Sequence, residues 1–97
     1  MLEKLIVAKP DDPFPRYGLA MELKKLGRHD QAVQAFEELT RVHPSYVPSY
    51  LMFGNLLEAL GRAEAAAEVY GRGIEAARAA GNDHAAGELQ AARDACT

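Results

Sequence analysis

The stretch LGRHDQAVQAF at residues 26–36 recurs in altered form as LGRAEAAAEVY at residues 60–70. Both copies carry Leu-Gly-Arg, then an alanine, then an aromatic residue four positions after that alanine. The copies lie 34 residues apart, as do LEKLIVAKP at residues 2–10 and FEELTRVHP at residues 36–44, which both end in proline. This regular offset indicates that the chain is built from a repeating structural unit.

Composition and charge limit the classes of protein to consider. The chain has 97 residues, 48% hydrophobic and 26% charged, which is typical of one small globular domain. A net charge of −3 does not indicate nucleic acid as a partner. The apolar run LIVA between Lys4 and Lys9 is too short for a membrane span. Cys96 is the single cysteine, so no intramolecular disulfide forms, and we expect a reducing, cytoplasmic location without membrane contact.

Glycine and proline positions indicate where helices begin and end. Gly27 and Gly61 each follow an apolar run, where a helix often ends in a left-handed residue. Prolines cluster around residues 10–15 and 44–48, which suits helix starts. We expect Asp11 or Asp12 to cap one helix, and Ser45 to cap another.

Three- and four-residue apolar spacing predicts helices, and no stretch shows the sustained alternation of a strand. The fold class expected is therefore all-α, with about six helices. The predicted helices cover residues 2–9, 14–26, 30–42, 46–60, 63–80 and 84–95.

The 34-residue helix–turn–helix period resembles the tetratricopeptide repeat (TPR) family, whose pattern is Trp-x2-Leu-Gly-x2-Tyr, then Ala-x3-Phe, then Pro. Arg16 and Arg78 depart from it, standing where the family has a large aromatic residue and the closing proline. Small residues at four of these positions would let paired helices cross closely. The matching residues are Leu19, Ala20, Leu23, Ala32, Phe36 and Pro44 in the first unit, and Tyr50, Phe53, Gly54, Leu57, Ala66 and Tyr70 in the second.

The resemblance implies a short TPR solenoid of antiparallel helix pairs, a fragment of a right-handed superhelix. The single domain, residues 1–97, would hold a leading half-repeat (1–12), two repeats (13–46 and 47–80) and a capping helix (81–97). One apolar stripe and one polar face on that last helix suit the end of a solenoid. The stripe contains Ala85, Leu89, Ala92 and Cys96.

Residue types that serve in catalysis or bind metals are present, but their spacing matches no catalytic or metal-binding motif. The three histidines, at positions 29, 43 and 84, share no metal-ligand spacing. Gly71 and Gly73 lie in a predicted helix, which favours close packing over a phosphate loop. Cys96 is next to the last residue, where we expect a frayed thiol rather than a nucleophile. We therefore expect no enzyme activity, cofactor or metal.

TPR proteins bind peptide segments or helices in a concave groove lined by the first helices of successive repeats. The resemblance therefore implies a small adaptor that binds a short, largely apolar protein segment. Tyr17, Met21 and Met52 occupy positions where some relatives bind a C-terminal carboxylate through Lys and Asn, so that specificity is not expected here. The groove residues implied are Phe14, Tyr17, Met21, Lys24, Lys25, Leu51, Met52, Asn55 and Glu58.

A second interpretation is structural self-assembly into a dimer or a stacked oligomer. Exposed helical ends could stack, and Leu2, Ile6 and Val7 exceed what one short helix would bury. The apolar side chains of the groove could equally pack on a second copy of the chain.

Overall fold

The structure, a computed structural model, describes residues 11–96. Within that range the chain forms five helices and no strand, which confirms the all-α prediction. The predicted helix at residues 2–9 lies outside the described residues. The helices are α1 (Pro13–Lys25), α2 (His29–Val42), α3 (Pro48–Ala59), α4 (Ala63–Ala79) and α5 (Asp83–Ala95).

Three glycines end the helices in the way that the sequence predicted for two of them. Gly27, Gly61 and Gly81 have φ values of 76°, 76° and 70°, in the left-handed region that glycine adopts without steric cost. After α1, the Arg28 amide donates to the Leu23 carbonyl at 3.0 Å, and the Gly27 amide donates to the Lys24 carbonyl at 3.1 Å. These paired bonds satisfy carbonyls at the helix end, and the same pattern follows α3 and α4.

The helix starts follow the sequence in one case and depart from it in another. Asp12 caps α1, because its carboxylate accepts from the Phe14 amide at 3.0 Å. The expected cap by Ser45 is wrong, since α3 begins at Pro48 and no side chain caps it. Ser45 lies in an exposed turn, while the Ser49 hydroxyl donates to the Tyr46 carbonyl at 2.8 Å. The proline ring at the first position of α3 presets the helical backbone without a cap.

The described helices divide into two compact units, with the division of the chain between His43 and Pro44. The first unit pairs α1 with α2. Ala20 on α1 and Ala32 on α2 are fully buried, as predicted for a close crossing. Phe36 and Leu39 complete this core and are also inaccessible to solvent.

The second unit contains α3, α4 and α5. Gly54 on α3 faces the Tyr70 ring so closely that a β-carbon at position 54 would overlap the ring. Ala66 on α4 is 0% exposed, as predicted. The absence of a side chain at Gly54 is therefore what admits the Tyr70 ring into this core.

The last helix, α5, packs on α4 through its apolar stripe. Leu89 is buried, and its Cδ1 would lie 3.1 Å from a β-carbon at Gly73. A β-carbon there would also clash with Tyr50, so Gly73 serves close packing, as predicted. The opposite face of α5 is polar and exposed, with Glu88 and Asp94 off the stripe. Asn82 caps the helix by accepting from the Ala85 amide at 3.1 Å.

Candidate protein-interaction surfaces

The first unit presents an apolar strip on α1, called here the α1 face and formed by Phe14, Tyr17, Met21 and Lys24. Three- and four-residue spacing places these side chains on one side of the helix. Phe14 is 68% exposed, while Tyr17, Met21 and Lys24 are partly buried. Lys25 is exposed beside them, and both lysines lie in the last turn, where the helix dipole favours cations.

The opposite side of α1 carries two leucines that match the family pattern. Leu19 and Leu23 are both only partly buried. They line a shallow depression of about 320 Å³ between α1 and α2, with Arg16 and Glu38 among the other lining residues. The reason is that the smaller Ala20 and the residues of α2 occupy the centre of the crossing.

The second unit presents its counterpart on α3, called here the α3 face and formed by Leu51, Met52, Asn55 and Glu58. Leu51 and Met52 are partly buried, whereas Asn55 and Glu58 are exposed. The face therefore has an apolar part toward the start of the helix and a polar part toward its end.

A buried tyrosine holds the polar end of the α3 face. Tyr70 is 0% exposed, yet its hydroxyl lies 2.5 Å from Glu58 Oε1 and 2.7 Å from Asn55 Oδ1. A phenol has one proton to donate, and the charged carboxylate is the stronger acceptor. The Asn55 amide then completes the network if its nitrogen, rather than its oxygen, faces Tyr70 and donates. The hydroxyl thus connects the core of the second unit to two surface residues.

The thiol of Cys96, at the end of α5, lies near the same carboxylate. It is partly buried, and Glu58 acts on its pKa. Burial raises the pKa of Cys96 above its ordinary value, and the hydrogen bond and charge of Glu58 raise it further. The thiol therefore stays protonated at neutral pH and is a poor nucleophile. Cys96 follows α5 directly as its C-cap.

The pKa of the Tyr70 phenol is also raised above its ordinary value. Burial raises its pKa, and the hydrogen bond from the phenol to Glu58 and the charge of that carboxylate act in the same sense. The neutral phenol therefore persists at every physiological pH, and its bond to Glu58 persists with it. Sequence reasoning missed both Tyr70 and Cys96, because one occupies an aromatic core position and the other an apolar stripe.

Two absences apply to the described part of the chain. Residues 11–96 contain no group of three or more histidine, cysteine, aspartate or glutamate side chains placed to hold a metal ion. Over the same residues, no helix has the length and apolar character needed to cross a membrane.

Comparison with known proteins identifies the architecture. The family model described as tetratricopeptide repeat matches residues 16–46 and 47–79. A solution structure of a tetratricopeptide repeat domain protein from Salinibacter ruber is 41% identical, with a TM-score of 0.84, and the match covers 90% of this chain and 88% of that one. A crystal structure of a Salinibacter ruber protein of the same description gives 41% identity and a TM-score of 0.80, covering 88% and 96% of the two chains.

Two proteins with lower sequence identity also match this chain. A protein from Bordetella parapertussis has 21% identity and a TM-score of 0.78 over 98% of this chain and 83% of its own, which shows the shared fold alone. The small glutamine-rich tetratricopeptide repeat-containing protein 2 of Mycosarcoma maydis is 28% identical over 72 residues, or 74% of this chain. The match spans only 20% of that relative's length. With two family repeats matched over most of its length, the chain belongs to the tetratricopeptide repeat family.

Proposed function

We propose that this chain is a small adaptor that binds a short, largely apolar segment of a partner protein through the α1 face and the α3 face. TPR repeats are generally protein–protein interaction modules, which supports a protein partner. The proposed role is binding without catalysis, since it needs only exposed side chains of suitable chemistry.

The observation that carries the proposal is the exposure of Phe14. A phenylalanine at 68% exposure leaves most of its ring in water, where burial against a partner would be favourable. Tyr17 and Met21 continue the strip along the same side of α1 with further apolar surface. Tyrosine and methionine also suit contact surfaces that adapt to their ligand.

The positive charges at the end of the α1 face add a preference for the composition of the ligand. Lys24 and Lys25 end the α1 face and would favour acidic residues next to the apolar part of the ligand. Exposed charges of this kind act mainly on the association rate, so the contribution should fall as salt concentration rises.

The test uses a phage-displayed library of random dodecapeptides as the probe. Phe14→Ala and Tyr17→Ala should fold normally and bind the selected peptides more weakly, by about 1–2 kcal/mol for a binding hot spot. Leu26→Ala is the matched control, because Leu26 is 59% exposed, directly follows α1 as its C-cap and, by helical spacing, lies on the side opposite the α1 face. Equal losses from Phe14→Ala and Leu26→Ala would contradict the proposal, as would unfolding of Tyr17→Ala, which would place that residue in the core.

A second copy of the chain is the competing occupant, because it could bury the same Phe14 ring. Sedimentation over a range of concentrations separates the two. The adaptor proposal expects a monomer whose mass does not change with concentration. A dimer that dissociates on Phe14→Ala substitution, and not on Leu26→Ala substitution, would favour self-assembly.

A further inference from the structure

The polar end of the α3 face differs from an ordinary exposed carboxylate in how it is held. Glu58 is exposed, but its Oε1 accepts from the Tyr70 hydroxyl at 2.5 Å. Tyr70 is itself fully buried against Gly54, so its hydroxyl has little freedom to move. The orientation of the Glu58 carboxylate is therefore set by the core of the second unit.

The donor on this carboxylate is uncharged. The Tyr70 phenol does not neutralise the negative charge of Glu58. Among the ion pairs of residues 11–96, none involves Glu58. A carboxylate offers about four acceptor positions, so further positions remain open on its exposed side. Glu58 thus combines a fixed orientation, an uncompensated charge and free acceptor capacity.

We propose that Glu58, positioned by Tyr70, selects partner segments that place a lysine or arginine side chain against the end of the α3 face. This inference rests on the proposed binding function and adds the chemistry of one ligand residue. Charge complementarity supports it, since the unneutralised carboxylate favours a cation. Asn55 stands next to the carboxylate and adds an amide group for the same ligand side chain.

Peptides selected from the dodecapeptide library provide the test. Wild-type protein should enrich peptides with a basic residue at one position, and replacing that residue with glutamine should weaken binding about three- to tenfold. Glu58→Gln should reduce this preference to near one, because it keeps the shape and removes the charge. Tyr70→Phe should reduce it in part, because the carboxylate stays but loses its orienting donor.

Glu75→Gln is the matched control, because Glu75 is also an exposed carboxylate of the second unit but lies on α4, outside both binding faces. It should leave the preference for a basic residue unchanged. Circular dichroism confirms that each variant is folded before binding is measured.

The outcomes separate this inference from the proposed function. If binding depends on Phe14 but Glu58→Gln leaves the preference for a basic residue unchanged, the role of Glu58 is overturned and the adaptor proposal stands. If that preference depends on Glu58 while Phe14→Ala has no effect, the role of Glu58 stands and the apolar α1 face is wrong. A selection that returns no binding peptide counts against both.

Discussion

Equivalent positions of the two units show how one hydroxyl group changes a surface. Phe36 in the first unit and Tyr70 in the second are both buried, 34 residues apart. Around Phe36, the positions equivalent to Asn55 and Glu58 are Met21 and Lys24. The unit with a buried hydroxyl thus carries an amide and a carboxylate on its surface, and the unit without one carries a thioether and an amine. A core residue and the surface beside it change together.

The two units also differ in the small residue at the point where their helices cross. Ala20 separates the helices of the first unit, whereas Gly54 at the equivalent position admits the larger tyrosine ring. A methyl group at that position is compatible with Phe36 but would overlap Tyr70. The absence of a side chain at Gly54 is therefore what leaves room for the Tyr70 ring, whose hydroxyl reaches Asn55 and Glu58 on α3.

The largest expected effects come from enlarging the alanines that both units share. Ala32→Leu and Ala66→Leu each add bulk at a position with 0% exposure, and each should lower the free energy of unfolding by about 1–3 kcal/mol. Urea denaturation followed by circular dichroism measures the change. A variant as stable as the wild type would show that its unit does not depend on a close crossing.

A smaller loss is expected where the units differ. Gly54→Ala should destabilise the protein by about 1–2 kcal/mol, because the new methyl group meets the Tyr70 ring. Gly87→Ala is the control, since a β-carbon there meets nothing within 4 Å and alanine favours the helix by about 0.5–1 kcal/mol. The comparison fails if both glycine variants change stability in the same direction.

The smallest expected changes in the free energy of unfolding come from removing the Tyr70 hydroxyl or adding one at position 36. Tyr70→Phe removes its bonds to Asn55 and Glu58 and should cost about 1 kcal/mol of unfolding free energy. Phe36→Tyr should also destabilise by about 1 kcal/mol, because Met21 and Lys24 offer no carboxylate acceptor. Adding Met21→Asn and Lys24→Glu to Phe36→Tyr should recover part of that loss.

Thermal or urea unfolding of this three-position variant and its component substitutions measures the coupling between core and surface. Purely additive free energies, with no recovery in the combined variant, would contradict the link between the buried hydroxyl and its surface neighbours.

The sequence predicted those parts of the fold that depend on local chemistry. Gly27 and Gly61 located two helix ends, because few other residues adopt the left-handed backbone that ends a helix this way. Ala32 and Ala66 located the crossings, because only small side chains fit there. The cap predicted at Ser45 was wrong, because the helix begins three residues further along the chain, at Pro48, out of reach of a cap at position 45.

The site was less predictable, because its polar contacts join distant residues. Tyr70 fits an aromatic core position as well as phenylalanine does, and nothing in the local pattern indicates where its hydroxyl points. The influence of Glu58 on the pKa of Cys96 depends on how α5 lies against the rest of the second unit. Such contacts depend on tertiary packing, which periodicity does not specify.

The anchoring of Glu58 has a consequence for the entropy of binding. A flexible charged side chain that becomes fixed in an interface loses conformational freedom, at a cost of about 0.5–1.5 kcal/mol. Glu58 has lost much of that freedom before any partner arrives, because Tyr70 holds its carboxylate. Lys24 has no such bond within the described residues and would lose its freedom on association. At equal contact quality, a unit with a buried tyrosine therefore retains more of its interaction energy as affinity than a unit with a phenylalanine.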